Sequence, residues 1–287
     1  MQIQVAQKKK VKLKVGMSGA SGFGKTYSAL LLAFGAIKEL HPNLSDDECW
    51  SKIVVIDTEN ESASLYADLG PYNVINLEPP YSPERYIEAI DAVLAAGMEL
   101  AVIDSITHEW DGSGGCLDIQ SSLGGRYQDW AKVTPRHQAF INKILQSPIH
   151  VITTVRRKQD YEMTKDSMGK LQVQKAGTKE ITRDGFEYEL TLNFEFINDN
   201  HMVKASKDRT GIYMNEPDFV ITTETGKKLI QWANSGIDEK QIVINLIKSA
   251  KSREDLEAVA AKYPNVASLP DVLKELQEMG KKYPKQQ

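Results

Sequence analysis

The sequence predicts an α/β protein: a mostly parallel β-sheet flanked by helices, edged by an antiparallel hairpin and followed by a small helical domain. Three observations carry this prediction. Between residues 11 and 155, short β-branched runs alternate with amphipathic segments. Runs of that kind are strands buried on both faces, which needs helices on either side of a parallel sheet. Two adjoining strand-like segments, residues 186–197 and 201–206, then follow, joined by Asn198-Asp199-Asn200, a hairpin-turn composition. Past Asn234-Ser235-Gly236 only helical periodicity remains. The expected division is a core of residues 1–235 and a C-terminal helical domain of residues 236–287.

Taken in order, residues 11–17 (VKLKVGM) alternate polar and apolar and then turn fully apolar, as a strand entering a core does. A Gly-rich loop precedes an apolar helix over residues 25–40, and residues 41–50 read as a polar insertion containing a proline. KIVVID (52–57) is a buried parallel strand. Residues 83–97 place Tyr86, Ile90, Val93 and Leu94 at helical spacing, and LAVID (100–104) is a second buried strand. Residues 126–145 read as helical, with Pro135 interrupting the helix or marking its start. IHVITTV (149–155) is a third buried strand. In the tail, residues 238–250, 253–263 and 269–279 form three short amphipathic helices; Ser252, three residues before Asp255, reads as an N-cap.

Composition narrows the function classes. A chain of 287 residues, 41% hydrophobic and 26% charged, has apolar content enough for a packed core, which excludes general disorder. A net charge of −4 gives no global attraction to nucleic acid or anionic lipid, so any polyanion surface must be local or built by assembly. Cys49 and Cys116 fit neither a disulfide framework nor a zinc site and read as reduced thiols. No apolar stretch approaches a membrane span and the N-terminus has no apolar signal core, so no membrane association and a cytoplasmic location are expected. Lys8, Lys9 and Lys10 read as a solvated lead-in to the first strand.

The chemistry begins at Gly19-Ala20-Ser21-Gly22-Phe23-Gly24-Lys25-Thr26, which matches G-x-x-x-x-G-K-[ST] between a buried strand and a helix. Glycines let successive backbone N–H groups converge on phosphate oxygens, and the following helix points its positive end at the same anion. Lys25 is placed to reach the β- and γ-phosphates and Thr26 to ligate Mg²⁺. ATP with Mg²⁺ is the expected cofactor; the residues expected to contact it run from Gly19 through Tyr27 and include Thr154. Asp104, ending LAVID, is the expected second magnesium group. Asp57-Thr58-Glu59 ends KIVVID with Glu61 close behind; Glu59 is the preferred base for the attacking water and Glu61 the alternative.

Further along, Thr153 and Thr154 put hydroxyls at the γ-phosphate edge of the sheet, where they would sense that phosphate. Residues 156–183 hold eight Lys or Arg and four Asp or Glu, a net +4, with Arg156, Arg157, Lys158 and Lys165 prominent. A basic, flexible, sparsely aromatic loop suits a nucleic-acid backbone. Lys204, Lys207, Asp208 and Arg209 end the hairpin; Lys207 or Arg209 could complete a neighbouring subunit's ATP site, the alternative being a local ion pair with Asp208. Residues 112–125 (GSGGCLDIQSSLGG) read as a mobile loop. His41, His108, His137, His150 and His201 show no metal-ligand spacing, and none is assigned to a metal; His108 is near enough to Asp104 to line the site.

As an ordered set these residues resemble the RecA-like branch of P-loop NTPases. VIDTE resembles the strand carrying the catalytic Glu, LAVIDS the Walker B strand, and ITTVRRK the sensor strand leading into the second DNA-binding loop. GSGGCLDIQSSLGG occupies the place of the first DNA-binding loop. The pattern is most similar to small phage-encoded RecA-like ATPases of single-strand annealing and recombination (the Sak-type group), where segments like Lys207-Asp208-Arg209-Thr210 recur. The likeness covers residues 11–215; Thr153-Thr154 stands where bacterial RecA has a polar amide pair, and the C-terminal helices have no assigned counterpart. The resemblance implies a DNA-dependent ATPase acting on single-stranded DNA as a homo-oligomeric ring or filament, in the bacterial host cytoplasm. It also implies a partner site, for a single-strand DNA-binding protein or another recombination protein, on the C-terminal helices. An ATP-dependent loader of a protein partner and a small-molecule kinase are the alternatives.

Overall fold

The computed structural model describes residues 6–165 and 171–284, and within them all side chains except those of residues 161–176. Two compact units emerge, residues 12–230 and residues 231–287 together with the N-terminal segment up to Val11.

In the larger unit the chain runs β1 (Lys14–Gly19), α1 (Lys25–Leu40), α2 (Asp46–Trp50), β2 (Ile53–Asp57), β3 (Asn73–Asn76), α3 (Pro83–Ala95) and β4 (Leu100–Asp104). It continues through α4 (Thr107–Asp111), α5 (Cys116–Ser122), α6 (Trp130–Gln146), β5 (His150–Lys165) and β6 (Leu171–Glu180). The last elements are α7 (Phe186–Glu189), β7 (Leu192–Phe196), β8 (Met202–Asp208), β9 (Phe219–Val220) and α8 (Thr223–Asn234), within which the division between units falls. The sheet order is β3-β2-β4-β5-β1-β7-β8-β9. β3 through β7 along that order are parallel, and β8 and β9 are antiparallel additions at the edge. This is the mostly parallel α/β sheet of a P-loop NTPase. Every residue of β1, β2 and β4 is buried, which is why β2 and β4 read as apolar runs up to their terminal aspartates; β1 buries Lys14 and Ser18 as well.

On one face, Tyr86, Ile90 and Val93 of α3 and Phe140, Ile141 and Ile144 of α6 pack over the strand residues. The Tyr86 and Phe140 rings lie 5.0 Å apart. α1 buries Leu30, Ala33 and Ile37. α1 and α8 approach so closely that a Cβ on Gly226 would lie 2.0 Å from the Leu32 carbonyl oxygen. That contact seats the start of α8 against the second half of α1.

Several expectations need correction. Within 156–183, where a loop was expected, β5 continues to Lys165 and pairs with β6 as a two-stranded antiparallel arm, with a bulge at Asp160/Tyr161. Charged residues spread along both strands hide them from hydrophobic patterning. The loop expected over 112–125 contains α5, started at Gly115. Residues 186–197 open with the helical turn α7, and β7 runs parallel to β1, so the antiparallel additions begin only at β8. Pro135 lies inside α6. The polar insertion at 41–50 holds α2, capped by reciprocal bonds between Ser45 and Glu48. β3 and the 3₁₀ segment Ser62–Leu69 had no sequence signal, since β3 is short and only partly buried.

The smaller unit contains α9 (Glu239–Ser249), α10 (Arg253–Lys262), α11 (Pro264–Ala267) and α12 (Pro270–Lys282) around Val243, Ile247, Leu256, Val272 and Met279. Ser252 and Asp255 form a capping box at α10. The N-terminal lysines belong here rather than leading freely into β1. Lys9 pairs with Glu239 at 3.0 Å, Lys10 with Asp238 at 3.4 Å, and Lys8 lies 4.7 Å from the centre of the Trp232 ring. The expected boundary at 235/236 thus lies a few residues beyond the division at 230/231, and residues up to Val11 group with the tail, not the core. Among the described residues no helix is long and apolar enough to cross a membrane.

Candidate nucleotide-binding site

β1 delivers the chain to the edge of the sheet at Gly19, and α1 begins at Lys25. The loop between them turns through Gly22 (φ +82°) and Gly24 (φ +89°), a region that side chains with a Cβ rarely adopt. Gly24 is doubly constrained: a Cβ there would lie 2.6 Å from Nδ1 of His201, at the β7–β8 turn. That same nitrogen is 2.9 Å from the Phe23 carbonyl oxygen, so the turn braces the loop from outside. Lys25 is buried, and its Nζ donates to the carbonyl oxygens of Gly19 (3.0 Å) and Ala20 (2.8 Å). Burial pulls its pKa down to about 8. The loop's glycines and the N-terminus of a 16-residue helix make a cradle suited to phosphate.

Asp104, at the end of β4, is fully buried beneath this cradle. Its Oδ2 accepts from the Thr26 hydroxyl at 2.5 Å, and its Oδ1 accepts from the Thr154 hydroxyl. The β4–β5 register, with Ile103 opposite Thr153, sets Thr154 beside it. Burial raises the carboxyl's pKa, opposed by these two hydroxyls and by Lys25. Thr153 faces β1 instead, 3.4 Å from the Val15 carbonyl oxygen, so only Thr154 of the pair joins the site. A hydroxyl and a carboxylate at the mouth of a phosphate cradle are hard oxygen donors and fit Mg²⁺, which when bound neutralises phosphate charge.

Glu59 follows β2. Asp57 fixes that turn by accepting from the backbone N–H of Glu59 (2.6 Å) and of Ala63 (2.7 Å). Glu59 Oε1 accepts from the Ser105 hydroxyl at 2.8 Å, and Oε2 is ion-paired with Arg156. Glu61 stands at φ +62° outside the cavity, with the Asn76 amide 3.4 Å from its carboxylate. Geometry therefore separates two acids that the sequence left close. Arg156 is the site residue that the sequence reading placed elsewhere, among the polymer contacts. The available signal is its place level with Gly19 at the ligand edge of the sheet, directly after the apolar run 149–155.

These groups line a cavity of about 520 Å³, a nucleotide-sized space. The loop, Glu59, Asp104 and Arg156 form its polar end; Tyr27, Leu31, Tyr66 and Ile221 form an apolar end suited to a base. The Tyr27 and Tyr66 rings are 5.6 Å apart.

Other expected residues lie elsewhere. Lys207 and Arg209 both donate to the Tyr188 carbonyl oxygen, Arg209 at 2.8 Å. Asp208 pairs across from Leu192 at the start of β7, so all three sit at the sheet edge opposite the phosphate loop. Asp208 does not pair with its cationic neighbours but accepts from Thr210 and from the backbone N–H of Tyr213. Arg157 is turned inward, 3.6 Å from Glu180 and 3.4 Å from Glu195, whereas Lys158 is exposed. The side chain of Lys165 is outside the described residues. His108 does not line the cavity; its Nδ1 lies 2.9 Å from the Thr58 hydroxyl and its ring stacks on Tyr81. His137, which showed no metal-ligand spacing in the sequence, meets Glu109 and Cys116 in a buried group that could hold an ion. There the Glu109 carboxylate accepts from the Cys116 thiol (3.1 Å) and lies 3.0 Å from His137 Nδ1, tying α4, α5 and α6 together.

A family model described as an AAA domain matches residues 11–218. That span contains the phosphate loop, Glu59, Asp104, Thr154 and Arg156, and ends before α8. No curated protein matches the chain.

Proposed function

The chain belongs to this family of AAA-domain, P-loop ATPases, and from that premise we propose that it is a magnesium-dependent ATPase whose cycle is coupled to single-stranded DNA, in recombination or annealing of the phage type. The observation that carries the ATPase chemistry is the convergence of Lys25 and Thr26, Asp104, and Glu59 on one cavity from three separate segments. Lys25 would hold the phosphate chain, Thr26 and Asp104 would hold the magnesium ion that neutralises its charge, and Glu59 would orient and deprotonate water. Arg156, ion-paired with Glu59, is placed to turn to an incoming γ-phosphate and release the carboxylate for that task.

Support for a polyanionic partner comes from the β5–β6 arm. It carries a net +4 over residues 156–183 in a chain of net −4, and it begins at the sheet edge that holds the nucleotide cavity. One such arm on an acidic monomer binds weakly, and a ring or filament would multiply it along one strand. In such an assembly Lys207 and Arg209 would serve a neighbour's site, since they cannot reach their own. The test is ATP turnover with and without single-stranded DNA. The proposal expects stimulation that weakens with salt; a rate unchanged by DNA at low salt would overturn the DNA coupling and leave the ATPase.

A further inference from the structure

We propose that the cleft between α4 and α6 is a base-stacking platform for single-stranded DNA. This rests on the reading that single-stranded DNA is the polymer, and it locates a contact that the basic arm alone does not supply. Trp110 of α4 and Trp130, the first residue of α6, stack with ring centres 5.4 Å apart and planes 15° from parallel. Neither is fully buried, and Tyr127 at the mouth of the same cleft is 92% exposed. The cleft has a volume of about 610 Å³, and Arg183 closes one side, held by its Nη1 bond to the Thr134 hydroxyl at 2.9 Å.

Three large aromatic rings left in contact with water in one cleft are an unspent apolar surface. What distinguishes them from an aliphatic docking groove is their flatness and their charged frame. Planar π-faces accept any base, and stacking of this kind is largely indifferent to sequence. Arg183 and the exposed Lys132 supply cations for the intervening phosphates. Of the acids nearby, Asp184 pairs with Lys179 at 2.9 Å and Asp129 accepts from the Arg126 backbone N–H at 2.9 Å. Arg183, on the cleft wall, follows the β6 strand of the arm by three residues.

The cleft is mechanically close to the nucleotide site. α4 starts two residues after Ser105, whose hydroxyl holds Glu59 at 2.8 Å. Thr107, its first residue, accepts from the Arg156 backbone N–H at 2.8 Å. A base seated against Trp110 bears on the helix that positions both members of the Glu59–Arg156 pair. That gives DNA a direct route to the rate of hydrolysis.

The experiment measures binding of a fluorescein-labelled oligothymidine by the full chain, over a range of salt, for the unmodified protein, Tyr127→Ala, Tyr127→Phe and Lys132→Gln. Tyr127 and Lys132 are exposed and outside the nucleotide site, so fold and basal ATPase activity are retained. Tyr127→Ala is expected to weaken binding about tenfold with an unchanged salt slope, and Tyr127→Phe to restore it. Lys132→Gln should lower the salt slope by about one. If the unmodified protein binds and both Tyr127→Ala and Lys132→Gln bind like it, the platform is wrong while the DNA reading stands. If the unmodified protein binds no oligothymidine with or without ATP, both fall, and a protein ligand for the cleft takes their place.

Discussion

Lys25 offers a prediction that can be worked from the structure. Its ammonium is buried against the Gly19 and Ala20 carbonyls, and burial lowers its pKa to about 8. A triphosphate in the cradle would place negative charge against it and raise that pKa again. The sign follows from linkage: the bound state holds the proton more tightly, so binding takes up a proton above pH 8 and affinity falls as pH rises. With a free-state pKa of about 8, roughly 3% of the sites are protonated at pH 9.5, so affinity should fall about 30-fold from neutral pH. Near pH 8.5 the loss should be only about fourfold by the same reasoning. Titration calorimetry of magnesium–ATP in two buffers of different ionisation heat reads the proton uptake directly, with circular dichroism confirming that the fold persists. A dissociation constant flat from pH 7.5 to 9.5, with no net proton uptake, would refute the placement of Lys25 against the phosphates.

Three further outcomes test separate parts of the account. Gly22 and Gly24 share a positive φ, but only at Gly24 would a Cβ meet His201. Gly24→Ala should therefore weaken ATP binding more than Gly22→Ala, and adding His201→Ala should narrow the gap; equal losses would discard the steric contact. Asp208 is pushed up by burial, but hydrogen bonds from Thr210, Tyr213 and Met214 outweigh this and hold its carboxyl below the usual range. Its contribution is present above the unfolded carboxylate pKa and lost as pH falls through the folded one. Asp208→Ala should thus destabilise by about 2 kcal/mol at neutral pH in urea unfolding, with a smaller difference in acid; a midpoint unchanged at neutral pH would count against the cap. Arg209→Ala should lower turnover without weakening ATP binding, and mixing it with Lys25→Ala should restore part of the activity. A mixture that assembles yet stays inactive would remove Arg209 from a neighbour's site.

Sequence and structure agree where spacing along the chain decides the matter. The phosphate loop is contiguous, and its glycines, lysine and threonine owe their places to local backbone geometry. Asp104 was legible because an acid ending an apolar run must sit at a strand end. Choosing between Glu59 and Glu61 was beyond the sequence, because it depends on Asp57 folding the turn so that only Glu59 meets Ser105 and Arg156. Arg156 and Arg157 read as polymer contacts since a charge run carries no sign of which members turn inward. The β5–β6 arm is hard to read for a related reason: its charged residues leave no period-two apolar pattern. The Trp110–Trp130 stack and the Glu109–Cys116–His137 group were invisible because α4, α5 and α6 bring together residues far apart in sequence.

The central claim is that Glu59 activates water at a phosphate held by Lys25, with Thr26 and Asp104 as the magnesium groups. The most direct measurement is single-turnover hydrolysis beside magnesium–ATP binding for Glu59→Gln. Losing the base while keeping a side chain of the same shape should leave binding within about threefold of the unmodified protein and slow hydrolysis by about a hundredfold or more. Hydrolysis near the unmodified rate, or a stall in Glu61→Gln that Glu59→Gln does not share, would contradict it.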